Sequence, residues 1–280
     1  MRKTDKIKKL YIINTGILSN SKLLNIKSYT ESSLPVFAYL IEHENFWALF
    51  DTGLSSNLVE NPENYLGFIL DTVVPFRTME GWILSSQIKN ITPSEIDIVI
   101  LSHRHLDHTG EVSKFLKSKI YIHREEMKSK NTMLGSLRGI KAADIPKGTP
   151  LTFPDFKKIK NPWGMNQLFD LFGDNSLFIA YTPGHVMGHI SVVLNGKIPV
   201  FLAGDALYSP PSNYTNKKIK KYWDMLSSIY YFRKKGLILT SHDKLNMKQI
   251  EKYNWIKVID FPENAFGESE LDHDYEDSII

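Results

Sequence analysis

The sequence predicts an α/β protein in which polar residues follow the ends of buried strands. Short apolar runs rich in Val, Ile and Leu alternate with stretches of helical spacing along most of the 280 residues. Four such runs end in a potential metal ligand, at His103, His185, Asp205 and His242. If these runs are neighbouring strands of one sheet, the four side chains meet at one rim, where open α/β sheets commonly bind ligands.

Ten short runs of branched and aromatic residues are predicted to be strands. They cover residues 10–13, 36–41, 46–50, 96–101, 120–122, 176–181, 190–194, 200–203, 237–240 and 255–259. Helices are predicted where apolar residues recur every three or four positions, at 84–91, 109–116, 219–235 and 247–253. Thr109 is expected to cap the second helix, with Val112, Phe115 and Leu116 on its apolar face, and Gly236 is expected to end the third.

The densest group of potential metal ligands is the segment 103–108, which reads His-x-His-x-Asp-His. It follows the apolar run 96–101, so we expect it on a strand-to-helix loop. Alternation along an extended backbone would turn His103, His105 and Asp107 to one side and His108 to another. Two adjacent ions could use all four ligands if later segments complete the coordination, and imidazole with carboxylate suits Zn²⁺. The alternative is a solvated polar loop.

Composition describes an ordinary globular protein, with 42% hydrophobic and 23% charged residues. Because the chain has no Cys, disulfides, thiolate ligands and a Cys nucleophile are excluded, and any metal must be bound by His and carboxylate. The net charge of +3 gives no argument for nucleic acid. No apolar run approaches the roughly 18 residues of a membrane span, and the stretch after the basic residues 1–10 is too short for a signal peptide. A cytoplasmic location is therefore expected.

Three polar residues near the predicted strand ends have roles that the sequence leaves open. Asp51 precedes Gly53 and is either a turn former or a support that orients a ligand His. His189 either supports the site in the same way or belongs to a turn. His123 is expected to be structural because only one possible ligand partner lies near it.

Residues 125–175 lack clear periodicity. We interpret this segment as an irregular insertion that packs over the sheet edge, within a single domain of residues 1–280. Its scattered apolar residues form either the wall of a pocket beside the metals or an ordinary satellite core.

Five motifs, in this order, resemble those of the metallo-β-lactamase superfamily. They are Asp51-Thr52-Gly53, the segment 103–108, Thr182-Pro183-Gly184-His185, Gly204-Asp205 and Ser241-His242-Asp243, and they span nearly the whole chain. The resemblance implies an αβ/βα sandwich with a dinuclear metal site at the sheet edge.

The resemblance also implies how the ligands divide between two ions. Metal 1 would be bound by His103, His105 and His185, metal 2 by Asp107, His108 and His242, and Asp205 would bridge them together with a hydroxide. Zn²⁺ is the expected ion, and Fe, Co and Mn use the same ligand types.

Within the superfamily, the chain is most similar to the N-acyl-homoserine lactonases, the enzymes of quorum quenching. Its size, the opening run 10–13 followed by 34–36, and Tyr208 three residues after Asp205 carry this similarity. The similarity implies that the bridging hydroxide attacks the lactone carbonyl. Tyr208 would bind the carbonyl oxygen, and Asp107 would carry the proton to the leaving ring oxygen. The alternative role for Tyr208 is that of a core aromatic, and Met187 and the middle segment depart from the family pattern.

Two other functions remain open on the same residues. A thioesterase of the glyoxalase II type or a phosphodiesterase would use the same ions, with the lysines of 217–221 binding an anionic substrate instead of forming an exposed helix face. A metal-binding sensor or scaffold without turnover would need the ligands but not Tyr208. The expected partner is a small-molecule lactone, with no nucleic acid and no membrane, and a homodimer is compatible with the sequence.

Overall fold

Alternating apolar side chains along the central strands build two β-sheets that pack face to face, with helices against their outer surfaces. This computed structural model describes residues 3–19, 33–66, 76–88, 91–128, 139–207, 226–243 and 247–259. Tyr208, the lysines of 217–221 and the first part of the predicted 219–235 helix lie outside these residues. The architecture is the predicted αβ/βα sandwich.

Thirteen strands run through the described residues. In chain order they are β1 Ile7–Ser19, β2 Ser33–His43, β3 Trp47–Phe50, β4 Phe76–Arg77, β5 Ile98–Ile100, β6 Lys119–Tyr121, β7 Leu151–Thr152, β8 Leu168–Asp170, β9 Leu177–Tyr181, β10 Ile190–Leu194, β11 Val200–Gly204, β12 Leu237–Thr240 and β13 Ile256–Ile259. All ten predicted strands are among them.

The helices of the described chain are short. α-Helices cover Asn57–Glu60, Pro62–Leu66, Leu84–Gln87, Leu106–Thr109, Leu226–Lys235 and Met247–Ile250, and 3₁₀ helices cover Glu80–Trp82, Pro93–Glu95, Val112–Phe115 and Arg124–Lys128. Helices of one turn are unstable alone, so packing against the sheets holds them in place. Within the described ranges, no helix has the length and apolar character needed to cross a membrane.

The two sheets bring several strand ends to one edge of the sandwich. The first sheet has the order β13-β1-β2-β3-β5-β6-β7, with β4 beside β1, and the second has the order β12-β11-β10-β9-β8. Strands β3, β5 and β6 run parallel in the first sheet, and β11 and β12 run parallel in the second. The segments that follow β3, β5, β9, β11 and β12 contact one another, which places the carboxyl ends of strands from both sheets together.

Side chains between the sheets form the central core. On β1, Leu10 and Ile12 point into this core while Ile13 packs on the outer face, as period-two alternation requires. Ile179 of β9 and Val192 of β10 complete the core from the second sheet. Burying one such side chain contributes roughly 1.5–3 kcal/mol to the free energy of unfolding, so the sheets stabilise each other.

The four ligand-bearing strands are not neighbours in one sheet, which was the condition considered from the sequence. Strand β5 belongs to the first sheet, whereas β9, β11 and β12 belong to the second. Their ends still meet because the sheets are joined at this edge, where Ile190 N–H donates to Ser102 O (3.0 Å) and Phe37 N–H donates to Ser241 O (3.0 Å). Apolar periodicity identifies strands but carries no information about which sheet a strand joins.

The predicted helix 109–116 also differs from the structure. Thr109 is the last residue of helix Leu106–Thr109, and its hydroxyl donates to His105 O (3.1 Å). Val112 and Phe115 are buried in a separate 3₁₀ helix, while Leu116 is 43% exposed. The α-helix already begins within the ligand-rich segment, at Leu106. The apolar residues expected on one helix therefore fall after its end, in and next to the separate 3₁₀ helix.

Other helix predictions are confirmed in part. The predicted 84–91 and 247–253 helices are single turns at Leu84–Gln87 and Met247–Ile250. Helix Leu226–Lys235 ends before Gly236, as predicted. Tyr230, one of the apolar residues whose spacing predicts this helix, is 62% exposed.

The irregular segment 125–175 supplies the edge strands β7 and β8 of the two sheets, and its status as an insertion stays a prediction. Within it, Asp144 is buried and connects the segment to the ligand-rich helix. The Tyr65 hydroxyl donates to Asp144 Oδ1 (2.7 Å), and the Thr109 hydroxyl lies 3.3 Å from Asp144 Oδ2. Burial raises the pKa of Asp144 to about 7, although its hydrogen-bond partners favour the carboxylate.

Asp144→Asn is therefore expected to make stability less sensitive to pH. An unfolded Asp loses its proton near pH 4, whereas folded Asp144 keeps it until about pH 7. The folded state thus binds more protons in this range, and its free energy of unfolding falls as pH rises from about 4 to 7. Relative to wild type, the Asn variant should be more stable at pH 8 than at pH 5, as measured by urea unfolding at matched metal content.

Asp155→Asn is the control, because it removes an exposed carboxylate from the same segment. An Asp144→Asn protein whose stability differs from wild type by the same amount at both pH values would contradict the prediction.

Candidate metal centre

Three imidazole nitrogens converge after strands β5 and β9. His105 Nδ1 lies 2.8 Å from His103 Nε2 and 3.0 Å from His185 Nε2. Asp205 Oδ2 lies 3.5 Å from His185 Nε2 and 4.0 Å from His103 Nε2. These four residues, which we call group 1, could hold one metal ion.

A second set of potential ligands lies beside group 1. Asp107 Oδ2 is 3.3 Å from His242 Nε2 and 3.6 Å from His108 Nε2. All three residues are buried, and they could hold a second ion. We call them group 2.

The carboxylate of Asp205 divides its two oxygens between the groups. Oδ2 faces the nitrogens of group 1, whereas Oδ1 lies 3.3 Å from His108 Nε2 and 3.2 Å from His242 Nε2. A carboxylate in this position can contact two adjacent ions at once, one through each oxygen.

Hydrogen bonds to the far nitrogens orient two of the imidazoles. His242 Nδ1 lies 2.9 Å from Pro35 O, and because a carbonyl only accepts, Nδ1 carries a proton. His108 Nδ1 lies 2.8 Å from Asp51 Oδ2, and a carboxylate imposes the same arrangement. In both rings Nε2 is therefore the nitrogen that faces the centre, which is the usual support for a metal-binding His.

Asp51 reaches His103 through Ser102. Ser102 N–H donates to Asp51 Oδ1 (2.7 Å), and the Ser102 hydroxyl donates to Asp51 Oδ2 (2.8 Å). Because the hydroxyl proton is used in this way, Ser102 Oγ accepts the hydrogen bond from His103 Nδ1 (2.9 Å). Asp51 also has a left-handed backbone with φ 62°, which Asp tolerates better than most residues. Both roles considered from the sequence, the turn former and the support, apply.

His189 supports the centre from behind Asp205. Its Nε2 accepts a hydrogen bond from Asp205 N–H (3.1 Å), and its Nδ1 lies 2.9 Å from the Thr182 hydroxyl. Gly204, with φ 57°, allows this approach, since a Cβ at this position would lie 3.0 Å from His189 Nε2. A side chain here would therefore displace the ring that fixes the Asp205 backbone.

A sequence model described as the metallo-beta-lactamase superfamily matches residues 33–253. The chain belongs to this superfamily. Membership implies divalent metal ions, and the two groups of His and Asp residues are where this chain could hold them.

Relatives that match this chain include N-acyl homoserine lactonases. The chain is 28% identical to an N-acyl homoserine lactonase of Bacillus sp., over 92% of this chain and 98% of the relative. It is also 28% identical to the N-acyl homoserine lactonase AttM of Azorhizobium caulinodans, over 72% and 77%. A solved N-acyl homoserine lactone hydrolase, with N-hexanoyl-L-homoserine at its catalytic metal centre, has the same fold at a TM-score of 0.65. That structure is 23% identical, and the match covers 89% of this chain and 97% of that one.

The pKa values of the imidazoles shift in opposite directions in the two groups. In group 1, burial lowers the pKa of His105 to about 4 and also lowers the pKa values of His103 and His185. In group 2, burial acts in the same direction, but the carboxylates of Asp205 and Asp107 outweigh it. They raise the pKa of His242 to about 10 and raise the pKa of His108.

The residues present fit divalent ions. His108 Nε2 and Asp205 Oδ1 are fully buried, and neither has a hydrogen-bond partner among the described residues. Leaving two such atoms unsatisfied is costly unless another group binds them. Imidazole nitrogens and carboxylate oxygens, without thiolates, are a donor set used by Zn²⁺ and neighbouring transition metals.

All seven ligand residues predicted from the sequence lie in these two groups, namely His103, His105, Asp107, His108, His185, Asp205 and His242. The simple alternation along the 103–108 segment is wrong. Asp107 faces group 2 together with His108, because helix Leu106–Thr109 begins after His105 and replaces extended backbone. His123 stays outside both groups and stacks on Tyr181 at 4.6 Å, as expected for a structural residue.

Sequence reasoning missed three supporting residues. Pro35 lies in the run 34–36 and Ser102 directly precedes the ligand-rich segment, but neither was assigned a role. For Ser102, its position directly after a buried strand was the available signal. Glu126, which accepts hydrogen bonds beside group 1, had no signal, since it lies in a run of charged residues typical of a solvated surface.

Proposed function

We propose that this protein is a metal-dependent hydrolase that opens the lactone ring of N-acyl-homoserine lactones, and that it acts in quorum quenching. The observation that carries the proposal is the Asp205 carboxylate shared between two groups of potential ligands, an arrangement that suits two adjacent ions of a hydrolytic centre. The lactone substrate is supported by the Bacillus relative, which aligns with 92% of this chain.

The proposed ligands follow the two groups. Group 1 would bind one ion through His103, His105 and His185, group 2 would bind the other through Asp107, His108 and His242, and Asp205 would contact both. Zn²⁺ is favoured by the donor set, and Fe, Co and Mn are compatible with it.

When bound, the two ions would supply a hydroxide near neutral pH and polarise the lactone carbonyl. In the overall reaction, the oxygen of water bonds to the carbonyl carbon, the ring C–O bond breaks, and a proton reaches the released ring oxygen. Asp107 would hold and deliver this proton. It is the more exposed of the two carboxylates in the centre, with 9% of its side chain accessible against 3% for Asp205.

Tyr208 is proposed to bind the substrate and to donate a hydrogen bond to its carbonyl oxygen as negative charge develops there. The support is its position, three residues after Asp205, as in the lactonases that the sequence resembles. Its structure lies outside the described residues.

The proposal is tested by incubating the purified protein with short-chain and long-chain N-acyl-homoserine lactones and measuring ring opening. We expect hydrolysis that a chelator removes and added Zn²⁺ restores. Thioesters and phosphodiesters are assayed in parallel. Faster turnover of either would replace the lactonase proposal with the corresponding hydrolase, and no turnover of any of them would leave a metal-binding protein without catalysis.

The metal assignment predicts about two transition-metal ions per chain in protein never exposed to chelator. His185→Ala removes a ligand of group 1 and His108→Ala removes one of group 2, so each variant should retain about one ion. Each should also lose most lactone hydrolysis while keeping the wild-type circular dichroism spectrum. Elemental analysis and kinetics measure the two effects.

His123→Ala is the matched control, because it removes an imidazole that lies outside both groups. Either ligand variant with full metal content and wild-type kcat would show that the assignment of that residue is wrong.

Tyr208→Phe removes one hydroxyl and keeps the ring. If this hydroxyl donates to the developing oxyanion, kcat/KM for a lactone should fall by about tenfold to a hundredfold at unchanged metal content, since loss of one such donor costs about a hundredfold or more when no cation shares the oxygen. Kinetics below saturation, with metal analysis of the same sample, make the measurement. Unchanged kinetics would remove Tyr208 from the mechanism and favour the thioesterase alternative.

A further inference from the structure

Glu126 connects the two chain segments that carry the nitrogens of group 1. Its Oε2 accepts a hydrogen bond from Arg104 N–H (3.0 Å), and its Oε1 accepts one from Gly188 N–H (3.2 Å). Arg104 lies between His103 and His105 in the chain, and Gly188 lies three residues after His185. One carboxylate thus bonds to both segments at once.

The contact with Gly188 is close enough to require glycine. A Cβ at this position would lie 2.5 Å from Glu126 Oε1 and 2.9 Å from Glu126 N. The backbone of the second segment therefore lies directly against the Glu126 carboxylate and main chain, and no side chain separates them.

Glu126 is a buried carboxyl group with polar partners. Glu126 is only 5% exposed, and Arg104, itself buried, donates from Nη1 to Glu126 O (3.4 Å). A buried charge without partners is strongly unfavourable. Burial raises the pKa of Glu126, while the two backbone N–H groups and the nearby charge of Arg104 act in the opposite direction and favour the carboxylate. The neighbouring Glu125 is more exposed and pairs with Lys128 instead.

We propose that Glu126 is a positioning residue for group 1, which holds the His103–His105 segment and the His185–His189 segment at the separation where their imidazole nitrogens converge. The inference rests on the proposed metal assignment. Group 2 is not expected to depend on Glu126, because its imidazoles are oriented by Asp51 and by Pro35 O.

The test is a titration of metal-free protein with Zn²⁺ against a competing chelator, which resolves two binding steps. His185→Ala identifies the step that belongs to group 1. In Glu126→Ala, the affinity of this step should fall by about tenfold to a hundredfold, the usual cost of losing a residue that orients a metal ligand. The affinity of the group 2 step should stay within about twofold of wild type.

Two further variants separate positioning from general stability. Glu126→Gln keeps one acceptor oxygen and the side-chain volume, so its group 1 affinity should lie between those of wild type and Glu126→Ala. Glu125→Gln makes the same change of charge one residue away and should bind both ions as wild type does. If Glu126→Ala does not fold, Glu126→Gln carries the test, with a loss of about threefold to tenfold expected at group 1 alone.

Three results would contradict the inference, and they are distinguishable. Wild-type affinity at both steps in the Glu126 variants means that the carboxylate does not position group 1. Equal weakening of both steps means that Glu126 acts only on overall stability. If wild-type protein binds no ion at group 1, the two-ion assignment itself fails, and the role of Glu126 fails with it.

Discussion

The structure at this edge of the sandwich depends on the carboxylate of Asp205. Its two oxygens approach His185 from one side and His108 and His242 from the other, so the ends of β5, β9, β11 and β12 must all lie within a few ångströms. That approach requires Gly204 before it and the His189 ring behind it. A buried carboxylate is stable only with such partners, and they come from both sheets.

Much of the fold and the candidate centre could be predicted because their signals lie within short stretches of the sequence. Each ligand directly follows a short apolar run, and buried strands have a recognisable composition. All ten predicted strands are present, and the seven predicted ligands fall into two adjacent groups. The motif alone was enough to identify His103, His105, Asp107 and His108 as potential ligands. Their division between two ions came from the superfamily resemblance.

The features that could not be predicted depend on contacts between distant segments. The assignment of β5 to one sheet and β9 to the other is set by pairing partners, which apolar periodicity does not encode. The break between Leu106–Thr109 and Val112–Phe115 arises where Gly110 packs on Ser55 without room for a Cβ. Glu126 looked like a surface charge because its burial depends on Arg104 and Gly188, which lie 22 and 62 residues away.

The potential metal ligands come from both sheets, and this affects how the two sheets are held together. His103, His105, Asp107 and His108 follow a strand of the first sheet, and His185, Asp205 and His242 follow strands of the second. Ions bound by both sets would cross-link residues 103–108 of the first sheet to residues 185–242 of the second, the role that a disulfide takes in many extracellular proteins. This chain has no Cys. The metal cross-link would be reversible. Loss of the ions would let the two sheets separate at the edge that carries the metal centre before the apolar core between them opens.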